Sequence, residues 1–129
     1  MNEWVLILGC STGHGGATAK RLAKDGYGII GFHLDRGEVK KEAELLKEEI
    51  SKINNGNVFF WNINAASVDV MDEYIPKISE ITNGQPLKLL LHSIAFGTTT
   101  NFFSEKPVNQ KQMDMTIHVM GNSLLYWTQ

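Results

Sequence analysis

Gly9, Gly13 and Gly15 fall within seven residues, in the stretch Leu8-Gly9-Cys10-Ser11-Thr12-Gly13-His14-Gly15. They follow directly on the apolar run Trp4-Val5-Leu6-Ile7-Leu8. A turn from strand into helix needs glycine where φ is positive or where a ligand would collide with a Cβ. The free N–H groups and the positive end of the following helix then face an anion. Ser11 and Thr12 add hydroxyl donors, and Gly16 lets the helix lie close on a sheet. The chemistry on offer is the binding of a phosphate-bearing ligand.

Two phosphate-binding patterns fail on the residues. A P-loop needs Lys and then Ser or Thr after its last glycine, and no Lys follows Gly13, Gly15 or Gly16. The G-x-G-x-x-G fingerprint fails because Thr18 stands where its third glycine would be. The spacing G-x-x-x-G-x-G remains, and it reads as a dinucleotide loop. A glycine-rich turn with no ligand is the alternative.

The flanking elements suit such a loop. Val5–Leu8, Ile29–Phe32, Val58–Trp61 and Leu87–His92 are short apolar runs of the kind buried in parallel sheets. Between them lie helical patterns. The first, Ala17 to Lys24, offers Ala19, Leu22 and Ala23 inward and ends at Gly26. The second, Gly37 to Asn54, offers Val39, Ala43, Leu46, Ile50 and Ile53, with charges on its other face. The third, Ser67 to Ile81, offers Val68, Met71, Ile75 and Ile78, with Pro76 in its middle. After a Thr-rich loop, a fourth helix is expected from Asn109 to Gln129 through Met113, Ile117, Met120 and Leu124. Strands alternating with helices predict right-handed βαβ units and a doubly wound, Rossmann-type parallel sheet of about four strands. Such sheets bind ligands at the carboxyl ends of their strands, here at residues 9–16, 32–36, 62–65 and 93–97.

Composition narrows the function classes. The 129 residues suffice for one hydrophobic core and a single domain. Twelve basic against 14 acidic residues give a net charge of −2 and no footprint for nucleic acid. No apolar run approaches the ~20 residues of a membrane helix, and no secretory leader is visible. The single cysteine, Cys10, forms no internal disulfide and suits a reducing compartment, so a cytoplasmic location is expected. His14, His33, His92 and His118 show no paired-ligand spacing, so no metal is expected. Asp35, 20 residues after Gly15, stands at the distance at which an acid grips the ribose of NAD. His33 competes for that place, and Arg36 could equally meet a 2′-phosphate, which leaves NAD and NADP both open. Phe96, Phe102 and Phe103 read either as the lining of an acyl site or as buried loop anchors.

The glycine loop after the first strand resembles that of the short-chain dehydrogenase/reductase superfamily. A second motif, Leu91-His92-Ser93-Ile94-Ala95-Phe96, is similar to the "HSIAF" segment of the enoyl-acyl-carrier-protein reductases. That resemblance implies NADH- or NADPH-dependent reduction of a 2-enoyl thioester in fatty-acid synthesis. It places Gly9, Thr12, Gly13 and His14 along the pyrophosphate and His33 at the adenosine ribose, while Ser11 and Gly15 are expected to bind the cofactor as parts of the same glycine loop. Asn62 and Ile63 match the family's Asp-Val beside the adenine, and Ser93, Ile94 and Ala95 lie against the cofactor. Gly97 would border the acyl pocket. The residues depart from the family where His14 replaces the usual Ile and Asn62 replaces Asp; the superfamily's Asn in the fifth helix has no clear match, Met120, Gly121 and Asn122 being alternative alignments of which none is assigned.

The superfamily's catalytic Tyr, with Lys four or seven residues on, has no match. Tyr27 is followed at those offsets by Gly31 and Leu34, Tyr74 by Ile78 and Ile81, and Tyr126 stands too near Gln129. The expectation is therefore the N-terminal half of a longer reductase, a homo-oligomer in its full form, acting on a small-molecule or acyl-thioester substrate. A carbonyl reductase or alcohol dehydrogenase of the same superfamily and a non-catalytic dinucleotide-binding module are the rival expectations.

Overall fold

Four parallel strands are hydrogen-bonded in the order β3-β2-β1-β4: β1 (Trp4–Leu8), β2 (Gly28–His33), β3 (Val58–Asn62) and β4 (Leu89–His92). The structure, a computed structural model, describes residues 2–129. The chain divides into two compact units, one ending at Ser93 and the other running from Ile94 to Gln129.

In the first unit β1 and β2 are buried along their whole length, as their unbroken apolar runs require. Register sets Leu8 beside Phe32 on one side and beside His92 on the other, so the carboxyl ends of the strands finish together. Side chains alternate across the sheet. Val5, Ile7, Ile29 and Val58 face a core completed by Ala19 and Ala23 of α1 (Gly13–Lys24) and Ile50 of α2 (Gly37–Ile53). Phe32 and Trp61 face the other way and meet Tyr74 of α3 (Val68–Ile81) edge-on. Helices on both faces make the doubly wound architecture that the strand–helix alternation predicts. The order 3-2-1-4 puts the reversal of winding between β1 and β4.

Several local readings change. The first helix begins at Gly13 rather than Ala17, because its first turn is built from the glycines themselves. Helix α2 turns Val39 outward, where it is exposed. In α3 the inward residues are Val70, Met71, Tyr74 and Ile78, while Val68 and Ile75 face solvent. The ring of Tyr74 fills the place assigned to Ile75, since only its width bridges Phe32 and Trp61. Pro76 does not interrupt α3. Its missing N–H leaves the Asp72 carbonyl without its helical donor, and both residues lie on the exposed face, where that acceptor is open to solvent.

The second unit holds a loop followed by α4 (Gln110–Ile117), a π-helical turn (His118–Asn122) and α5 (Ser123–Thr128). Asn109 and Gln112 cap α4 reciprocally, each side chain bonding the other's backbone N–H. The expected stripe Met113, Ile117, Met120 and Leu124 does not hold. Ile117, Met120 and Leu124 are exposed, whereas Ser123 and Trp127 are buried. A π turn adds a residue to the helical period and rotates everything after it, so a 3.6-residue count carried through His118–Asn122 picks the wrong face.

Candidate functional site

The glycine loop sits at the carboxyl end of β1, pinned there by the backbone. The N–H groups of Gly9 and Cys10 both donate to the Phe32 carbonyl, at 2.9 and 3.0 Å. Ser93, at the end of β4, donates its N–H to the Leu8 carbonyl at 2.7 Å. The glycines then serve two separate needs. Gly13 has φ +56° with open space where a Cβ would project, so it is required by backbone conformation and leaves room above the helix. Gly15 is required by contact, because a Cβ there would run into the Gly9 carbonyl. The first turn of α1 consequently lies directly on the loop.

Thr12 is the N-cap of α1, yet its side chain makes no capping bond. Its hydroxyl is left for another partner, and Thr12, Gly13 and His14 are all exposed. His14 is held in the first turn, where its carbonyl accepts from Thr18 Oγ1 at 2.7 Å. An open helix N-terminus, an unspent hydroxyl and a glycine with no atom above it fit a pyrophosphate. Cys10, by contrast, is fully buried beneath the loop, and burial pushes its thiol far above the usual range. It is a packing residue.

The ends of β2 and β3 form one hydrogen-bonded cluster. His33 is buried, and its Nδ1 donates to Asp35 Oδ2 at 2.9 Å. Asn62 Oδ1 accepts from the Asp35 N–H at 2.8 Å, and Asn62 Nδ2 donates to the Asp35 carbonyl at 2.9 Å. The Ile63 N–H donates to the His33 carbonyl at 2.8 Å. The replacement of Asp by Asn at position 62 thus has a structural reason: a carboxylate could accept from Asp35 but could not donate to it. Sequence spacing named Asp35 as one of several ribose candidates; that Asn62 holds it had no sequence signal.

At β4, desolvation lowers the pKa of His92, with a backbone hydrogen bond acting in the opposite direction. Ile94, Ala95 and Gly97 belong to the second unit. There a Cβ on Gly97 would stand 2.5 Å from the Thr116 methyl, and the Thr98 N–H donates to Thr116 Oγ1 at 2.9 Å. The glycine at 97 is accounted for by this contact. Phe96, Phe102 and Phe103 are exposed, Phe103 almost completely, which removes the reading of them as buried anchors.

The sequence profile of the short chain dehydrogenase family matches residues 3–129. The chain belongs to that family. No curated protein matches it by sequence. Among solved structures it is similar to YwfH, an NADPH-dependent reductase involved in bacilysin biosynthesis, with TM-score 0.81 and 18% identity over 99% of this chain and 51% of that one. It is also similar to a 3-oxoacyl-[acyl-carrier protein] reductase from Brucella melitensis in complex with NAD, with TM-score 0.79 and 16% identity over 100% and 47% of the two chains. A bulky-bulky ketone specific alcohol dehydrogenase from Comamonas testosteroni gives TM-score 0.77 and 17% identity over 98% and 46%. The chain spans about half the length of the solved structures it matches.

Proposed function

We propose that this chain is the dinucleotide-binding part of an NAD(P)-dependent oxidoreductase. The observation that carries the reading is the cradle made by Thr12, Gly13 and Gly15, with its open helix end at the switch between β1 and β4. In this reading Gly9, Ser11, Thr12, Gly13, His14 and Gly15 line the pyrophosphate. His33, Asn62 and Ile63 form the adenosine side, and Ser93, Ile94 and Ala95 the nicotinamide side. The cofactor supplies a hydride, NADH or NADPH being the carrier. The backbone amides and hydroxyls of the loop bind the anion and orient it, and the buried wall formed by Leu8, Cys10 and Phe32 keeps water from beneath it.

The finer proposal is an enoyl-acyl-carrier-protein reductase, with a 2-enoyl thioester as substrate and Gly97 near the acyl chain. It rests on the segment Leu91-His92-Ser93-Ile94-Ala95-Phe96. The proton donor and its lysine partner then come from chain beyond these residues, in a cytoplasmic homo-oligomer. A second reading, reduction of a carbonyl, draws on the names of two similar structures, a 3-oxoacyl reductase and a ketone-specific alcohol dehydrogenase. The experiment is to sequence the coding DNA through its stop codon and assay the full product with NADH and NADPH on enoyl thioesters, 3-oxoacyl thioesters and ketones. Turnover of enoyl thioesters alone supports the first reading and turnover of carbonyls alone the second. Saturable cofactor binding without turnover of any of them would replace both with a non-catalytic binding module.

A further inference from the structure

The chain carries one six-residue pattern twice. Ser51-Lys52-Ile53-Asn54-Asn55-Gly56 closes α2, and Ser79-Glu80-Ile81-Thr82-Asn83-Gly84 closes α3. Both copies fold alike. Asn55 has φ +57° and Gly56 φ +81°, while Asn83 has φ +53° and Gly84 φ +72°. In each the glycine N–H turns back onto the helix, from Gly56 to the Ser51 carbonyl at 2.8 Å and from Gly84 to the Ser79 carbonyl at 2.9 Å. Asn55, Gly56, Asn83 and Gly84 are all exposed. We propose that Asn83 is a site of spontaneous deamidation in the folded protein and that Asn55 is its shielded twin. The inference is independent of the dinucleotide reading above.

An asparagine followed by glycine is open to attack by its own backbone, because no Cβ on the glycine crowds the approach. The glycine N–H gives its proton to a solvent base, and the nitrogen forms a bond to the asparagine Cγ. The Cγ–Nδ2 bond breaks, and the amide nitrogen takes up a proton and leaves as ammonia. Water then opens the resulting succinimide ring. Breaking its Cγ–N bond gives aspartate, and breaking its backbone C–N bond gives isoaspartate. Nothing is oxidised or reduced, and water is the only co-reactant. In both turns the attacking nitrogen is occupied, since its hydrogen is donated to a serine carbonyl. How often each helix end opens therefore sets the rate.

The two ends differ in what holds them shut. At α2 the clasp is tertiary. Asn54 is buried, and its Nδ2 donates to the Tyr27 carbonyl at 3.2 Å and to the Asn57 carbonyl at 2.7 Å. Asn57 Nδ2 donates back to the Asn54 carbonyl at 2.8 Å, and the Ile29 N–H of β2 donates to the Asn57 carbonyl at 2.9 Å. Opening the turn at Gly56 thus disturbs the sheet. At α3, Thr82 takes the place of Asn54. It too is buried, but its hydroxyl donates only to the Ser79 carbonyl, at 3.3 Å, the same oxygen that receives the Gly84 N–H. The remaining bonds, from the Asn83 N–H to the Glu80 carbonyl at 3.2 Å and from the Gln85 N–H to the Thr82 carbonyl at 3.0 Å, are equally local. Gln85 and Pro86 are exposed, and the backbone rejoins the sheet at Lys88, whose N–H donates to the Trp4 carbonyl at 2.8 Å. The end of α3 can fray alone, whereas the end of α2 cannot. The product sets a carboxylate beside the last carbonyls of α3, a helix with no basic residue in its last turn to offset it.

The test is peptide mapping by mass spectrometry of the full-length protein, aged at mildly alkaline pH both native and in urea. It reads, at each asparagine, the mass gained when the amide becomes a carboxylic acid. In the native protein Asn83 is expected to convert at least about tenfold faster than Asn55, while in urea the two rates should agree within about twofold. Asn57→Ala, which removes one bond of the clasp, should raise the native Asn55 rate several-fold and leave Asn83 unchanged. Asn54→Ala removes two bonds and should raise it further; Asn57→Ala keeps the buried Asn54 and decides the matter if Asn54→Ala does not fold. Equal native rates, or Asn55 ahead of Asn83, overturn the assignment. A ratio that persists in urea traces the difference to the flanking residues and overturns the part given to the fold. Protection of both sites in the native protein, with both converting in urea, means that the end of α3 stays closed and overturns the proposal. An Asn55 rate unmoved by loosening the clasp overturns the shielding.

Discussion

The Sγ of Cys10 occupies the space that a side chain at position 31 would need. A Cβ on Gly31 would lie 2.5 Å from Cys10 Sγ, 2.7 Å from Cys10 Cβ and 3.1 Å from the Phe60 ring. Cys10 cannot retreat, because it is fully buried and its N–H is bonded to the Phe32 carbonyl. The glycine loop is therefore seated on β2 through one thiol, and the glycine opposite makes the seat possible. Gly31→Ala is expected to destabilise the protein by about 1–3 kcal/mol through overpacking. Thermal melts of the two proteins check this, and an unchanged midpoint would mean that the loop is not pressed against β2.

Gly13→Ala and Gly15→Ala should separate conformational strain from collision. Gly13 has nothing near its missing Cβ but a positive φ, so alanine there costs about 1–2 kcal/mol and the protein still folds. Gly15→Ala sets a Cβ against the Gly9 carbonyl, which is backbone and cannot rotate away. That variant should lose at least about 3 kcal/mol and its dinucleotide binding, since the loop must shift. Denaturant melts and NADH titration of both variants give the order; Gly15→Ala proving the milder substitution would sink the geometry.

Tyr74 holds α3 to the sheet by its ring. It stands edge-on to Trp61 at 4.9 Å and to Phe32 at 5.4 Å, and the Lys77 ammonium lies 4.2 Å from the ring centroid. Tyr74→Phe retains all three contacts and should change stability by less than about 0.5 kcal/mol. Tyr74→Ala removes them and should cost about 2–3 kcal/mol, less than a fully buried aromatic because the ring is only half-buried. Urea unfolding gives the energies, and a shifted tryptophan emission in Tyr74→Ala alone would report the contact with Trp61.

What the sequence made legible follows from how local each signal is. The four strands, the loop between β1 and α1, and the parallel sheet all show in short runs such as Val5–Leu8 and Ile29–Phe32, where burial on both faces leaves no room for polar residues. Helical faces were harder to read. Period counting put Ile75 inward, but the ring of Tyr74 has two aromatic partners that no periodicity contains. The π turn at His118–Asn122 defeats the same count, because one extra residue per turn displaces Leu124 from the face that Ser123 and Trp127 take. At the candidate site, Gly13 and Gly15 announce themselves by type and spacing. Asn62 does not, since its two bonds to Asp35 span 27 residues and depend on β2 and β3 ending side by side.

The buried thiol of Cys10 gives a pH dependence with a definite sign. Burial raises its pKa above the ordinary range; a backbone hydrogen bond at Cys10 partly opposes this, and the Asp35 charge adds to it. In the unfolded chain a cysteine loses its proton above about pH 8.5. The native protein keeps that proton, so above this pH the unfolded state binds fewer protons and stability falls as pH rises. Below it the contribution is complete. The loss should approach about 1.4 kcal/mol per pH unit, or about 2 kcal/mol by pH 10. Cys10→Ala has no proton to retain, so the difference between the two proteins isolates the thiol from every other titrating group. Urea unfolding at pH 7, 9 and 10 should show the wild type losing stability faster than Cys10→Ala. Two parallel declines would mean that the thiol reaches water, and that the loop does not seal the carboxyl end of β1.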